Sequence, residues 1–204
     1  MGDERRRVMD RVRAAVAWLE HRAPMPLYPD DVARTRSAPG DPPDSLVDRF
    51  REQLVAAGGR AFMDAATLAS WLADQRLLHG YCDADLLPML DEAFRSFEIE
   101  SRFARERIDE YGFGITQAAG AIAETGSLIL LDRPESRRLA AIAPWVHIAV
   151  VERSRIHRDV ADAIAALGDE PYVLWCTGPS KTADIEGILI QGVHGPGEQV
   201  AWIV

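Results

Sequence analysis

The chain has 204 residues, 48% of them hydrophobic and 27% charged, which suits one cored domain with an appendage and argues against global disorder. Its formal net charge of −9 argues against a general nucleic-acid binder, which needs a basic face, while leaving room for local basic pockets that hold small anions. The two cysteines, Cys82 and Cys176, form no paired motif, so neither an iron–sulfur cluster nor a structural zinc is expected on this chain alone.

Those cysteines read instead as buried thiols of a reducing cytoplasm. No apolar run reaches the ~18 residues of a membrane span. The opening MGDERRRVMD is charged and leads into no apolar core, so a secretory signal is not expected either.

In chain order, residues 3–22 place Val8, Val12, Ala15, Val16 and Leu19 at helical spacing and predict a helix. Arg5, Arg6, Arg7, Arg11 and Arg13 would suit a membrane surface, but Asp3, Glu4, Asp10 and Glu20 dilute that charge. Packing on the domain or on a second subunit is the expectation. Pro24, Pro26, Pro29, Pro39, Pro42 and Pro43 deny helix and central strand to residues 23–44, which read as an extended connection. Residues 1–44 are thus a helical arm with a Pro-rich connection, which hints at a homodimer, and 45–204 form the main domain.

Within that domain the pattern predicts a helix over 45–57 ending at Gly58-Gly59, a strand over 60–63, a helix over 65–75 and a strand over 77–82. Residues 83–110 are acidic and resist assignment beyond a weak helix around 87–94. Gly114-Ile115-Thr116 leads into a short Ala-rich turn or helix, followed by a strand over 127–131. Then come a helix over 134–141, a continuous apolar strand over 146–151, an amphipathic helix over 156–167 and a buried strand over 172–176. A helix over 183–191 and a strand over 200–204 close the chain. Short apolar strands alternating with amphipathic helices predict an α/β fold with a largely parallel central sheet flanked by helices. Ligands of such folds sit outside the carboxyl ends of the strands.

Three stretches carry polar chemistry. The first is TGPSKTADIE, starting at Thr177. It imitates the end of a mononucleotide P-loop, but Trp175 and Ser180 stand where that motif needs its glycines, so the P-loop reading fails. A buried strand entering a tight turn at Gly178-Pro179 and then a helix capped by Thr182 would place Asp184 and Glu186 in the first turn. Free N–H groups there, with Ser180, Lys181 and Thr182, would suit a carboxylate or a phosphate. The same residues would equally make a well-capped joint with a solvated lysine.

The second stretch is ETGS, Glu124 to Ser127. A carboxylate followed by small hydroxyls at the mouth of a sheet can act as an acid/base or a ligand clamp, or it can be a helix end closed by Gly126. The third is GVHGPG, Gly192 to Gly197, in which His194 sits on a constrained loop and could bind a ligand or move a proton. His147, inside WVHIAVV, reads as a satisfied core histidine. His21, His79 and His157 show no metal-ligand spacing, and no metal site is expected.

In combination, GIT…AIAETGSL…PWVHIAVV…GPSKTADIE…GVHGPG resembles the LUD-domain family, in particular its lactate utilization protein C (LutC) branch, over about residues 112–204. Ser127 stands where that family usually has Thr, and Lys181 where it often has Arg. The resemblance implies a domain similar to the NagB/RpiA/CoA-transferase group and a role in using L-lactate. It implies iron–sulfur lactate utilization proteins as partners, which carry the clusters while this chain binds no cofactor itself.

Carried onto this sequence, the resemblance implies Glu124 and His194 as proton-transfer groups. It implies Thr125, Gly126, Ser127, Gly178, Pro179, Ser180, Lys181, Thr182 and Asp184 as the lining of a pocket for a small anionic ligand, with Asp184 orienting Lys181 or the loop. The alternative is a free-standing enzyme for a phosphorylated or CoA-type anionic substrate, for which fold analogy is the only warrant.

Overall fold

A computed structural model of the chain describes residues 2–18, 43–90, 92–131, 138–183 and 188–204. Residues 23–42 of the Pro-rich connection and Asp184 lie outside them, while Pro43 opens a helix rather than extending the connection. Helix α1 (Gly2–Val16) belongs to a unit of its own, Met1–Arg34, separate from the main unit Thr35–Val204. Within its unit, Val8, Met9 and Val12 are exposed. No described helix is long and apolar enough to cross a membrane.

The main unit opens with α2 (Pro43–Ala56), which buries Val47, Phe50 and Leu54 at helical spacing. It ends as its sequence predicts. Gly59 N donates to Leu54 O and Gly58 N to Val55 O, the paired bonds of a glycine-terminated helix. Next come β1 (Arg60–Phe62), α3 (Ala65–Asp74) and β2 (His79–Cys82). The Asp64 carboxylate caps α3 by accepting from Thr67 N at 2.7 Å. Among the described residues of 83–110, three 3-10 turns flank a short strand, β3 (Glu98–Glu100).

Then follow β4 (Phe113–Gln117), β5 (Gly120–Ile122), β6 (Ser127–Leu131), α4 (Arg138–Ile142) and β7 (Val146–Val151). The chain continues through β8 (Ile156–His157), α5 (Val160–Leu167), β9 (Val173–Cys176), β10 (Lys181–Thr182), β11 (Ile190–Gln191) and β12 (Glu198–Ile203).

The fold is α/β. Six strands form a wholly parallel sheet in the order β1-β12-β7-β4-β2-β3. Its central strands are buried on both faces, which is why VHIAVV reads as a continuous apolar run with no alternation. One face packs on α3 and the 3-10 turns through Leu68, Leu72, Leu86 and Phe94. The other packs on α2 and on a second sheet through Ala149, Val151, Ala201 and Ile203. That second sheet runs β8-β5-β6-β9, and α5 covers its far side through Ala163 and Leu167.

The core also holds one polar row. His147 is fully buried on β7; its Nε2 meets Thr116 Oγ1 of β4 at 2.9 Å, and its Nδ1 lies 2.9 Å from the Gln199 amide nitrogen of β12. Both ring nitrogens are satisfied, as expected of a core histidine. Burial pushes the imidazole down from 6.5 to about 4.

Several elements differ from expectation. The amphipathic helix expected over 156–167 begins only at Val160, after the Asp159 cap, because Ile156-His157 pair with β5 as β8. The Ala-rich segment after Thr116 is not helical: Gly120–Ile122 form β5 and residues 123–126 the turn to β6, with Ala121 and Ala123 fully buried in the layer between the sheets. The helix expected over 183–191 falls in part on residues 184–187, outside the described residues, and its last two residues are strand. Lys181-Thr182 pairs antiparallel with Ile190-Gln191 as a small hairpin.

Candidate functional site

The turn joining β5 to β6 carries Glu124, Thr125 and Gly126. Gly126 has φ +68°, and a Cβ there would come within 2.3 Å of Leu54 N on α2. Only glycine allows this turn to lie against the α2 backbone. Beside it a chain of hydroxyls crosses the sheet: Thr125 Oγ1 to Ser127 Oγ at 2.7 Å, and Ser127 Oγ to Thr177 Oγ1 at 2.6 Å. Ser127 is buried, while Thr177 is exposed at the end of β9.

On the other side of the same edge lies Arg158, at the end of β8, whose carbonyl accepts from Glu124 N at 3.0 Å. The Arg158 Nε is buried and has no hydrogen-bond partner among the described residues. Its guanidinium is held only loosely by Asp162, at 3.9 Å. The edge of the four-stranded sheet therefore presents, from strand to strand, Arg158, Glu124, Thr125, Ser127 and Thr177.

The chain after Thr177 turns toward the six-stranded sheet. Gly178, with φ +76°, passes so close to α2 that a Cβ would meet Ala57 O at 2.5 Å. Pro179 is buried. Lys181 Nζ donates to that same Ala57 carbonyl at 2.9 Å, which places a cation at the negative end of α2. One of the three ammonium donors is used there.

Ser180 is clamped by its backbone: its N–H donates to Pro196 O, and its carbonyl accepts from Gly192 N, both at 2.9 Å. The loop 192–197 folds over Trp145, whose ring lies where Cβ atoms on Gly192 and Gly197 would be. His194 is exposed on that loop, and Gly195 approaches Ser180 closely.

One expectation needs correction here. Lys181-Thr182 pair antiparallel with Ile190-Gln191, and the first turn of the helix expected after them falls on residues outside those described. The loop does not stand at the carboxyl ends of the parallel strands. Ala57 precedes β1, Trp145 precedes β7 and Glu198 opens β12, so Lys181 and Ser180 lie at the amino edge of the six-stranded sheet. The reason is topological: the loop leaves β9, which belongs to the second sheet.

The structure brings Thr125, Ser127, Gly178 and Lys181 together around the C-terminal end of α2, and sets Ser180 against the His194 loop. Sequence reading missed Thr177 and Arg158. Thr177 opens a quoted motif, but its role depends on a hydroxyl 50 positions away. Nothing in RIHRD marks Arg158.

A further set of chemically active side chains lies on the far edge of the main sheet. His79, Glu98 and Glu100 place a ligand atom each within 4.8 Å of one another. No sequence spacing shows this, because the pairing of β2 with β3 creates it. Neither cysteine offers a reactive thiol: burial and the neighbouring Asp83 charge push Cys82 up to about 12, and burial raises Cys176.

Comparison with known proteins places this geometry. Lactate utilization protein C of Deinococcus radiodurans is 33% identical over 102 residues, 48% of this chain and 48% of that protein. Lactate utilization protein C of Bacillus licheniformis is 33% identical over 107 residues, 48% and 44% of the two chains. An uncharacterised protein of Neisseria meningitidis is 35% identical over 92 residues, 43% and 40%. The chain thus spans about half the length of these relatives or less.

The crystal structure of a DUF162 family protein from Deinococcus radiodurans superposes with a TM-score of 0.60 at 21% identity, covering 80% of this chain and 99% of that one, and so shares the fold. The LUD domain profile matches residues 47–204. That span takes in both sheets, the hydroxyl row and the Lys181 loop, and the chain belongs to the LUD domain family.

Proposed function

We propose that this chain is the cluster-free component of a lactate-utilizing system, and that the edge of its four-stranded sheet binds a small carboxylate. Oxidation of L-lactate to pyruvate releases two electrons and two protons. In this reading the electrons pass to iron–sulfur clusters on partner proteins. The protons leave through groups of this chain, with Glu124 and His194 as the candidates. The family and the lactate utilization relatives support the system. The two protonated thiols, on strands of different sheets, support placing the clusters on other chains.

The observation that carries the ligand class is the buried, unpartnered Arg158 Nε. A buried donor without a partner costs about 1–3 kcal/mol, and a bound carboxylate removes that cost. The linked hydroxyls of Thr125, Ser127 and Thr177 use two of their three protons on one another and leave one further donor along the same edge, and Lys181 adds positive charge beyond them.

Thermal unfolding with L-lactate, pyruvate, inorganic phosphate, ATP and coenzyme A tests this. At ~100 times its dissociation constant a ligand adds about 2.7 kcal/mol, or about 5–10 °C for a chain of this size. A shift with lactate or pyruvate, lost in Arg158→Gln, is the expected result. A shift only with the phosphorylated ligands favours a free-standing enzyme. Lactate turnover by the isolated chain overturns the partner-dependent reading.

A further inference from the structure

We propose that His79, Glu98 and Glu100 form a binding site for one first-row divalent cation of the zinc or manganese class, at the β3 edge of the six-stranded sheet. The site is independent of the lactate reading. β1 and β3 are opposite edges of that sheet, and the Lys181 loop meets the β1 side.

The backbone builds the set. His79 and Glu98 are directly paired in parallel register, and Glu100 follows two residues on, so all three side chains leave the same face. Their ligand atoms lie within 4.8 Å of one another. Imidazole with carboxylates suits zinc, manganese and iron, and suits magnesium and calcium poorly.

The hydrogen bonds around the set are those of a ligand shell. His79 Nδ1 lies 3.0 Å from the Glu110 carbonyl oxygen. A carbonyl only accepts, so the proton is on Nδ1, and in the neutral ring Nε2 carries a bare lone pair. That lone pair points at Glu100 Oε1, 3.1 Å away, which is also an acceptor. Two acceptors at this distance need a positive charge between them: a second ring proton or a cation.

A backbone carbonyl fixing the far nitrogen is the usual orienting contact of a metal-bound histidine. Glu100 is oriented in the same way. The Tyr111 hydroxyl accepts from Ala104 N, so its one proton goes to Glu100 Oε2 at 2.8 Å, leaving Oε1 as the ligand oxygen. The exposed Glu98 supplies the third.

Arg107 occupies the competing position, with Nη1 at 2.6 Å from Glu100 Oε1. It is also held by Glu110 Oε2 through Nε at 2.8 Å and Nη2 at 2.7 Å. A dication at Glu100 therefore displaces Nη1 while Arg107 stays paired with Glu110. Ligands about 2.0–2.2 Å from one ion stand roughly 3.4 Å apart, so His79 Nε2 and Glu100 Oε1, at 3.1 Å, are already close enough, and the Glu98 side chain closes the rest of the set from within 4.8 Å. Glu100 also lines a surface groove of about 560 Å³ through which an ion can enter.

The test uses the tag-free full chain, stripped with chelator and titrated calorimetrically with Zn²⁺ and with Mn²⁺ at pH 7.5, with Mg²⁺ alongside. Wild type should bind one Zn²⁺ or Mn²⁺ with micromolar or tighter affinity. Glu98→Gln and His79→Gln should weaken that binding at least tenfold. Glu98 is exposed, so its variant folds and keeps the test valid even if His79→Gln does not.

An imidazolium held only in the Glu100–Arg107–Glu110 ion-pair network gives a different result: no stoichiometric binding in wild type. Equal binding by wild type and Glu98→Gln places the ion elsewhere. Either outcome overturns the proposal.

Discussion

The buried histidine makes the sharpest stability prediction. His147 has no exposure, both its nitrogens are occupied, and its ordinary value of 6.5 falls to about 4 in the fold. The unfolded chain therefore binds more protons than the fold between pH 6.5 and pH 4. The contribution of His147 is fully present above pH 6.5 and is lost as pH falls through that window. With those two values, linkage gives about 2 kcal/mol lost between pH 7 and pH 5, and about 3 kcal/mol once pH is below 4.

The assay is urea unfolding at pH 7, 6 and 5 for wild type and for His147→Gln. Glutamine keeps a donor and an acceptor for Thr116 and Gln199 but does not titrate. His157, also lowered by burial, titrates in both proteins and cancels in the comparison. The variant should be less stable at pH 7 and should lose about 2 kcal/mol less than wild type on going to pH 5. Parallel slopes for the two proteins would refute the neutral, fully buried imidazole.

Other outcomes follow from single contacts. Gly126→Ala meets Leu54 N at 2.3 Å in a positive-φ turn; it should cost more than ~2 kcal/mol, read as a fall in Tm of at least about 5 °C. Phe50→Ala, in the layer between α2 and the two sheets, should cost about 3–5 kcal/mol by chemical denaturation. Lys181→Ala loses one bond to the exposed end of α2, so stability should fall by at most about 1 kcal/mol, while affinity for an anionic ligand falls more. Cys82, pushed up to about 12, should resist iodoacetamide in the native protein at pH 8 and label on unfolding, followed by mass spectrometry.

How much of this was legible beforehand depends on how local each cause is. The glycine stop after α2 and the buried run VHIAVV involve neighbours in sequence, and both stand as read. The acidic 83–110 region hid β3, since a three-residue strand has too few positions to show a period. Thr125 and Ser127 were singled out from the sequence, but the hydroxyl that links them to the chain before Gly178, that of Thr177, was not.

The sequence by itself determined the class of the fold, because only strands buried on both faces need unbroken apolar runs. It also determined the end of α2, because capping acts within four or five residues. Tertiary structure decided what propensity left open or pointed the other way. Ala121, which favours helix, became part of β5, fully buried in the layer between the two sheets. Residues 181–182 became half of a hairpin because a partner at 190–191 met them. The His79, Glu98 and Glu100 set and the row from Arg158 to Thr177 exist only once strands pair, since non-local pairing, unlike capping, leaves no spacing in the chain to be read.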